Sequence, residues 1–364
     1  MMEKIDERLE CIIRVHPLAW TKAIIESRDD PRLIQSLVEC NGGKFLGHAL
    51  QYAVVEIQAG LIKDLIADSQ IRKIWHIDPR IFDPYFNILK NVDHVLSTYA
   101  GTAVLPAVAN MSLGPPIDSS GACEFNEREP INIATRKLFD AGIVVVVVAG
   151  NSGRLGNNTL NPWSVAPWVI GVGAATKDGK KLADFSSRGI PGHELYKPTV
   201  VARGVDIESQ GETISRTSFA AAHVSGAACN ILGLMRQAFG FKDAGVRTSD
   251  SKNLKTAEFD IISGDWKKPI VDSGDRTFEL EGPRVVKFGF IYGDYKKTIQ
   301  FKIGTVESLS PTTIKELLIQ CALPMSGYQM HEVGAGFLSG ELVIKCIGDY
   351  MHACQIIILD QFPP

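Results

Sequence analysis

Residues 143–148 read Ile-Val-Val-Val-Val-Val, an unbroken β-branched run with no polar interruption. Side chains of this kind are stiff at χ1 and disfavour a helix, and a run with no polar face leaves no side of a strand for water. The segment therefore fits a strand covered on both faces, the setting of a parallel sheet flanked by helices. Its neighbours agree. A helix expected over about 131–140 feeds it, Val169-Ile170-Gly171-Val172-Gly173 reads as a second core strand, and residues 198–202 read as a shorter one. Helices alternating with buried strands make an α/β domain.

Around this core the chain of 364 residues divides further. Helical patterning is expected through the first forty residues, where Ile34, Leu37 and Val38 form one apolar face before Gly42-Gly43 ends it. Residues 53–57 and 71–77 read as strands, with Leu61, Ile62, Leu65 and Ile66 at helical spacing between them. This gives a small α+β domain ending near Asp78-Pro79. A helix containing Ile88, Leu89, Val92 and Leu96 follows, and residues 104–109 lead into Asn110-Met111-Ser112-Leu113-Gly114. Residues 217–228 form a helix of almost exclusively small side chains, which permits close approach to a sheet. Val286, Phe288, Phe290 and Tyr292 alternate, turn at Gly293-Asp294, and alternate again through Ile299, Phe301 and Ile303, the pattern of an inserted antiparallel hairpin. Ser310-Pro311 caps a last helix whose buried face is Ile314, Leu317, Leu318 and Cys321. The expected divisions are 1–79, 80–236, 237–307 and 308–364.

Composition removes several classes of function. Lys and Arg number 38 against 41 Asp and Glu, a net charge of -3, so no basic field draws in nucleic acid or an anionic membrane. The longest apolar run, 141–150, is half of the roughly 20 residues a spanning helix needs. The amino terminus lacks the apolar block of a secretory signal, and seven scattered cysteines contain no Cys-x-x-Cys pair. A reducing, cytoplasmic setting with free thiols is expected, with no metal cluster, phosphate loop or other cofactor motif.

Two polar residues stand where chemistry is done. Ser218 opens the small-residue helix, where the partial positive charge of a helix N-terminus favours an oxyanion. Asn151 follows the valine-rich strand, at the end of the sheet where α/β folds gather their working groups. Taken singly, a serine at a helix start is a cap and an asparagine after a strand is a turn residue.

In combination they resemble the subtilisin-like serine protease family. Thr217-Ser218 with Ala220, His223, Val224 and Gly226 is similar to the nucleophile segment, and Ala149-Gly150-Asn151 to the segment bearing the oxyanion-hole asparagine. Ser112-Leu113-Gly114 resembles the strand that pairs with substrate backbone. Phe185-Ser186-Ser187-Arg188-Gly189, Lys197-Pro198 and Val333-Gly334-Ala335-Gly336 resemble structural stretches of the same family. The resemblance implies a three-layer core with a mostly parallel sheet, truncated, carrying a propeptide-like α+β domain over about 31–78 and the inserted hairpin. It further implies Ser218 as nucleophile, Asn151 in the oxyanion hole, and Ser112, Leu113, Gly114, Ala149, Gly150, Arg216 and Thr217 along the substrate groove.

The departures bear on activity. The family's Asp-Thr-Gly-like and His-Gly-Thr-His-like motifs are not found, and the stretch between Asp78 and Asn110 is too short for two β-α units of about 30 residues each. Without an imidazole a serine hydroxyl is a poor nucleophile at neutral pH. Arg216 stands where the family has glycine, and Ala222 and Arg203 replace prolines. His223 lies within the serine's own helix. His94, beside Asp93, is the candidate for a rebuilt base, with His76 behind it and His193 and His331 in loops. Two readings stand: a pseudo-protease that binds a peptide or protein segment by β-augmentation, or an endopeptidase with a non-standard base. In either, a second chain is a candidate to complete the truncated core, and a third reading makes the hairpin the functional surface.

Overall fold

The computed structural model describes residues 5–77, 82–99, 107–115, 125–193, 198–239 and 310–347, and four strands between 270 and 302 by their backbone pairing. Asp78, residues 104–106 and the expected turn at Gly293-Asp294 lie outside the described residues. Contacts divide the chain into two units, 1–100 with 126–137 and 101–125 with 138–364.

In the first unit α1 (Glu7–Val15) is capped by Asp6, whose carboxylate accepts from the Leu9 N–H. There follow β1 (Trp20–Ser27), α2 (Ile34–Cys40), β2 (Lys44–Ala49), β3 (Tyr52–Gln58), α3 (Ile62–Ile66), β4 (Ile71–His76) and α4 (Phe82–Tyr99). The strands form an antiparallel sheet in the order β2-β3-β1-β4, so β1 to β4 with α2 and α3 run β-α-β-β-α-β. One face packs Ala23, Ile25, Val55 and Ile57 against Leu9, Ile34, Val38, Ile62 and Leu65. The expectation of helix through the first forty residues is wrong at β1. Residues 23–27 are buried on both faces of a central strand, which erases the period-two alternation, and only the β-branched Thr21, Ile24 and Ile25 carry the strand signal. The α+β unit thus begins before residue 31.

The second unit is built on β5 (Val108–Met111), β6 (Val144–Val148), β7 (Ile170–Ala175), β8 (Val200–Arg203) and β15 (Phe337–Leu338); α5 (Pro130–Asp140), whose residues 130–137 belong to the first unit, precedes β6 in the chain. These five strands are all parallel, in the order β15-β8-β7-β6-β5. Every residue of β6 and β7 is buried. A short hairpin, β9 (Ile207–Ser209) and β10 (Glu212–Ile214), precedes α6 (Thr217–Phe239). Ala220, Ala221, Val224, Ala227, Ala228 and Ile231 are the buried side of α6, and their small size lets the helix lie against the sheet.

Strands β11 (Ile270–Val271), β12 (Thr277–Leu280), β13 (Val285–Tyr292) and β14 (Tyr295–Lys302) form an antiparallel sheet in chain order, with Tyr292 opposite Tyr295. Helix α7 (Pro311–Cys321) starts at Ser310, whose hydroxyl accepts from the Thr313 N–H at 3.1 Å, and α8 (Met330–Val333) precedes β15. Among the described residues no helix is long and apolar enough to cross a membrane.

Candidate active site

The site lies where the carboxyl ends of β5 and β6 meet the N-terminus of α6. Asn151 follows β6 after Ala149 and Gly150. Both connecting residues are fixed: the Ala149 carbonyl accepts from Asn161 N at 2.7 Å, and the Gly150 carbonyl from Ser187 N at 3.1 Å. Gly150 has φ +107°, and a Cβ there would sit 2.8 Å from the Ser187 hydroxyl, so only glycine fits. That hydroxyl instead accepts from the Ser152 N–H at 3.0 Å.

The first turn of α6 presents backbone donors that need partners. Arg216, the preceding residue, carries no side-chain oxygen with which to cap the helix. Asn151 supplies one from a neighbouring loop: its Oδ1 accepts from both the Thr217 N–H and the Thr217 hydroxyl, each at 3.0 Å. The Phe219 N–H donates to the Arg216 carbonyl at 3.3 Å. The Ser218 N–H, the Ser218 hydroxyl and Asn151 Nδ2 have no partner among the described residues. Thr217 is fully buried, Ser218 half-buried, and Asn151 and Arg216 exposed. With Oδ1 engaged by Thr217, the asparagine offers its amide hydrogens to a ligand, beside a serine N–H at a helix N-terminus. Such donors stabilise negative charge on a bound oxygen.

The extension of β5 is tied to the same helix. Asn110 Nδ2 donates to the Ser112 hydroxyl at 2.9 Å, Ser112 donates to the Ser218 carbonyl at 3.4 Å, and Ser225 donates back to Asn110 Oδ1 at 3.1 Å. Asn161, buried, donates to the carbonyls of Leu113 at 3.1 Å and Val148 at 3.0 Å and accepts from the Trp163 N–H at 3.1 Å. The backbone groups of Ser112 and Gly114 have no hydrogen-bond partner among the described residues. Gly114 leaves no room for a side chain, because a Cβ would lie 2.5 Å from Asn161 Nδ2.

Sequence reasoning missed Asn161, Ser187, Asn110 and Ser225 as positioning residues. The one local cue is Asn161-Pro162, a turn dipeptide whose amide was free to be recruited.

His223 binds the Phe219 carbonyl of its own helix through Nδ1 at 2.9 Å. His94 belongs to the first unit and contacts the Thr98 hydroxyl one turn along α4 at 3.2 Å. Among the described residues no imidazole or carboxylate bonds to the Ser218 hydroxyl. Arg203 donates to the Asp206 carbonyl at 2.8 Å. Asp184 is held below the usual carboxylate range chiefly by hydrogen bonding from Arg154, at 2.9 Å, so that pair is internally neutralised. Arg216 forms no ion pair among the described residues, which also contain no group of three His, Cys, Asp or Glu side chains arranged to hold a metal.

Residues 98–249 match the Subtilase family. Among curated proteins the chain is 37% identical over 126 residues to Subtilisin DY of Bacillus licheniformis, covering 34% of this chain and 42% of that protein. It is 36% identical over 108 residues to Serine protease AprX of Bacillus subtilis (strain 168), covering 28% and 24%. The chain thus spans less than half the length of these relatives. A solved structure, the self-cleaved protease domain of PatA, aligns over 72% of this chain and 69% of that one at 20% identity and a TM-score of 0.40.

Proposed function

We propose that this chain, whose residues 98–249 match the Subtilase family, is a degenerate member of it, a pseudo-protease that holds an extended peptide in its groove without cutting it. The observation that carries the reading is an asymmetry at Ser218. The Ser218 N–H and the Asn151 amide are open donors at the start of α6, while the Ser218 hydroxyl has no proton acceptor among the described residues. Loss of the base costs several powers of ten in rate, but peptide binding by strand pairing at Ser112 and Gly114 needs no base.

The competing reading is an endopeptidase with Ser218 as nucleophile and a base from a second chain. One observation favours it: the Ser218 hydroxyl makes no structural hydrogen bond among the described residues, so folding does not account for its presence. Labelling by a fluorophosphonate separates the two. The purified chain, alone and in cell extract, is expected to give no Ser218-dependent label. Labelling that disappears in Ser218→Ala would sink the pseudo-protease.

A further inference from the structure

We infer that Ser225, two turns along α6 from Ser218, governs peptide binding from outside the groove, acting through Asn110 so that the two form a pair of positioning residues. The inference deepens the peptide-binding reading and rests on it. Both residues are poor choices for the elements they occupy. Asn110 lies inside β5, and asparagine is depleted in strands. Ser225 lies inside α6 among Ala220, Ala221, Ala222, Ala227 and Ala228, where serine is a weaker helix former than alanine. A serine within a helix can turn its hydroxyl to the carbonyl one turn back. This one instead reaches Asn110 Oδ1 at 3.1 Å, so each unfavourable residue accounts for the other.

The bonds run in one direction. The Ser112 hydroxyl has a single proton and donates it to the Ser218 carbonyl at 3.4 Å, a group that can only accept. The Ser112 oxygen must therefore accept from Asn110. That places Asn110 Nδ2 beside it, at 2.9 Å, and turns Oδ1 toward Ser225, whose hydroxyl must donate. Ser225, Asn110, Ser112 and the Ser218 carbonyl thus form a relay in which each hydroxyl proton has one destination.

The relay is a two-point clamp. Asn110 and Ser112 are two apart, the spacing at which an extended chain repeats its face, and Ser218 and Ser225 are seven apart, two turns on one face of a helix. The attachments lie about 10 Å apart along the helix axis and about 7 Å apart along the strand direction. One bond would let the strand pivot on the helix, whereas two fix its height and its angle. The backbone groups of Ser112 and Gly114 that are open to a peptide belong to this clamped segment, so their placement beside Ser218 depends on a hydroxyl that is itself no part of the groove.

The test uses the immobilised full chain and pooled random octapeptides blocked at both ends. Retention is measured by mass spectrometry at a temperature where circular dichroism shows every variant folded. Ser225→Ala removes one hydrogen bond outside the groove and should lower retention about fivefold, and Ser225→Thr, which keeps a hydroxyl, should restore it. Asn110→Ala combined with Ser225→Ala should lose no more than Asn110→Ala alone, since both act through one relay. Asn110→Asp keeps the acceptor for Ser225 but leaves the single Ser112 proton two acceptors to serve, so it should lose as much as Asn110→Ala. Retention within about twofold of the parent in folded Ser225→Ala or Asn110→Asp, or losses that add in the double variant, would overturn the positioning inference and leave the groove reading standing. A parent chain that retains no octapeptide would overturn the groove reading and the inference with it.

Discussion

Removing the Asn161 side chain tests whether the groove is held by buried hydrogen bonds. Asn161 is 1% exposed and makes three bonds, to the Leu113 and Val148 carbonyls and from the Trp163 N–H. In Asn161→Ala all three partners lose their mate. The Leu113 carbonyl belongs to a residue 39% exposed and regains water, while Val148 and Trp163 are buried at 5% and 3%. Each buried unpaired group costs about 1–3 kcal/mol, so the substitution should destabilise the second unit by about 2–6 kcal/mol. At a denaturant slope of about 3 kcal/mol/M, the urea midpoint should fall by about 0.7–2 M. Trp163 and Trp168 report the transition by fluorescence from inside the affected region. Asn161→Asp keeps the shape and the acceptor for Trp163 but turns an oxygen toward two carbonyls, so it should lose at least as much as alanine. A midpoint shift below about 0.3 M for Asn161→Ala would refute the reasoning, since it would mean those groups find water where the structure buries them.

Gly114→Ala should lower both thermal stability and octapeptide retention, because its Cβ would press to 2.5 Å from Asn161 Nδ2; a variant that melts and binds like the parent would contradict that contact. Asn151→Ala should destabilise the chain by about 1–2 kcal/mol as a lost helix cap, whereas Ser218→Ala should change the melting temperature little; equal losses by calorimetry would show that Ser218 has a structural partner. Asp30, held down at about 2 from 3.8 chiefly by its hydrogen bond from the Arg32 side chain, stabilises the turn at Pro31 fully above the ordinary carboxylate value. That contribution is lost as pH falls through about 2, and a side-chain NMR titration with its midpoint near 3.8 would show the contact absent.

What the sequence made legible follows from how each signal is written. The β-branched run marked β6 because an apolar run with no polar face suits a strand buried on both faces of a parallel sheet, and the alanine-rich stretch marked α6 because small side chains allow that approach. The positions of Ser218 at a helix start and Asn151 after a strand end were legible because the small-residue helix and the valine-rich strand beside them carry strong local patterns. β1 was not, since burial of residues 23–27 on both faces removed the alternation and left a mixed pattern. Asn161 was not, since its function is to join the Leu113 carbonyl to a loop 48 residues away, a relation that local composition does not contain.

The two central residues of the site carry unequal information about activity. Asn151 would be needed even in a protein that never bound a peptide, because Thr217 is fully buried at the first turn of α6, Arg216 cannot cap it, and Asn151 Oδ1 satisfies both the Thr217 N–H and its hydroxyl. Its presence therefore follows from folding and is silent on chemistry. Ser218 differs. Its hydroxyl holds nothing together among the described residues, and alanine, the residue of positions 220–222, would suit a helix in contact with a sheet equally well. Whatever this protein does at the end of β6, its account has to give that hydroxyl a partner.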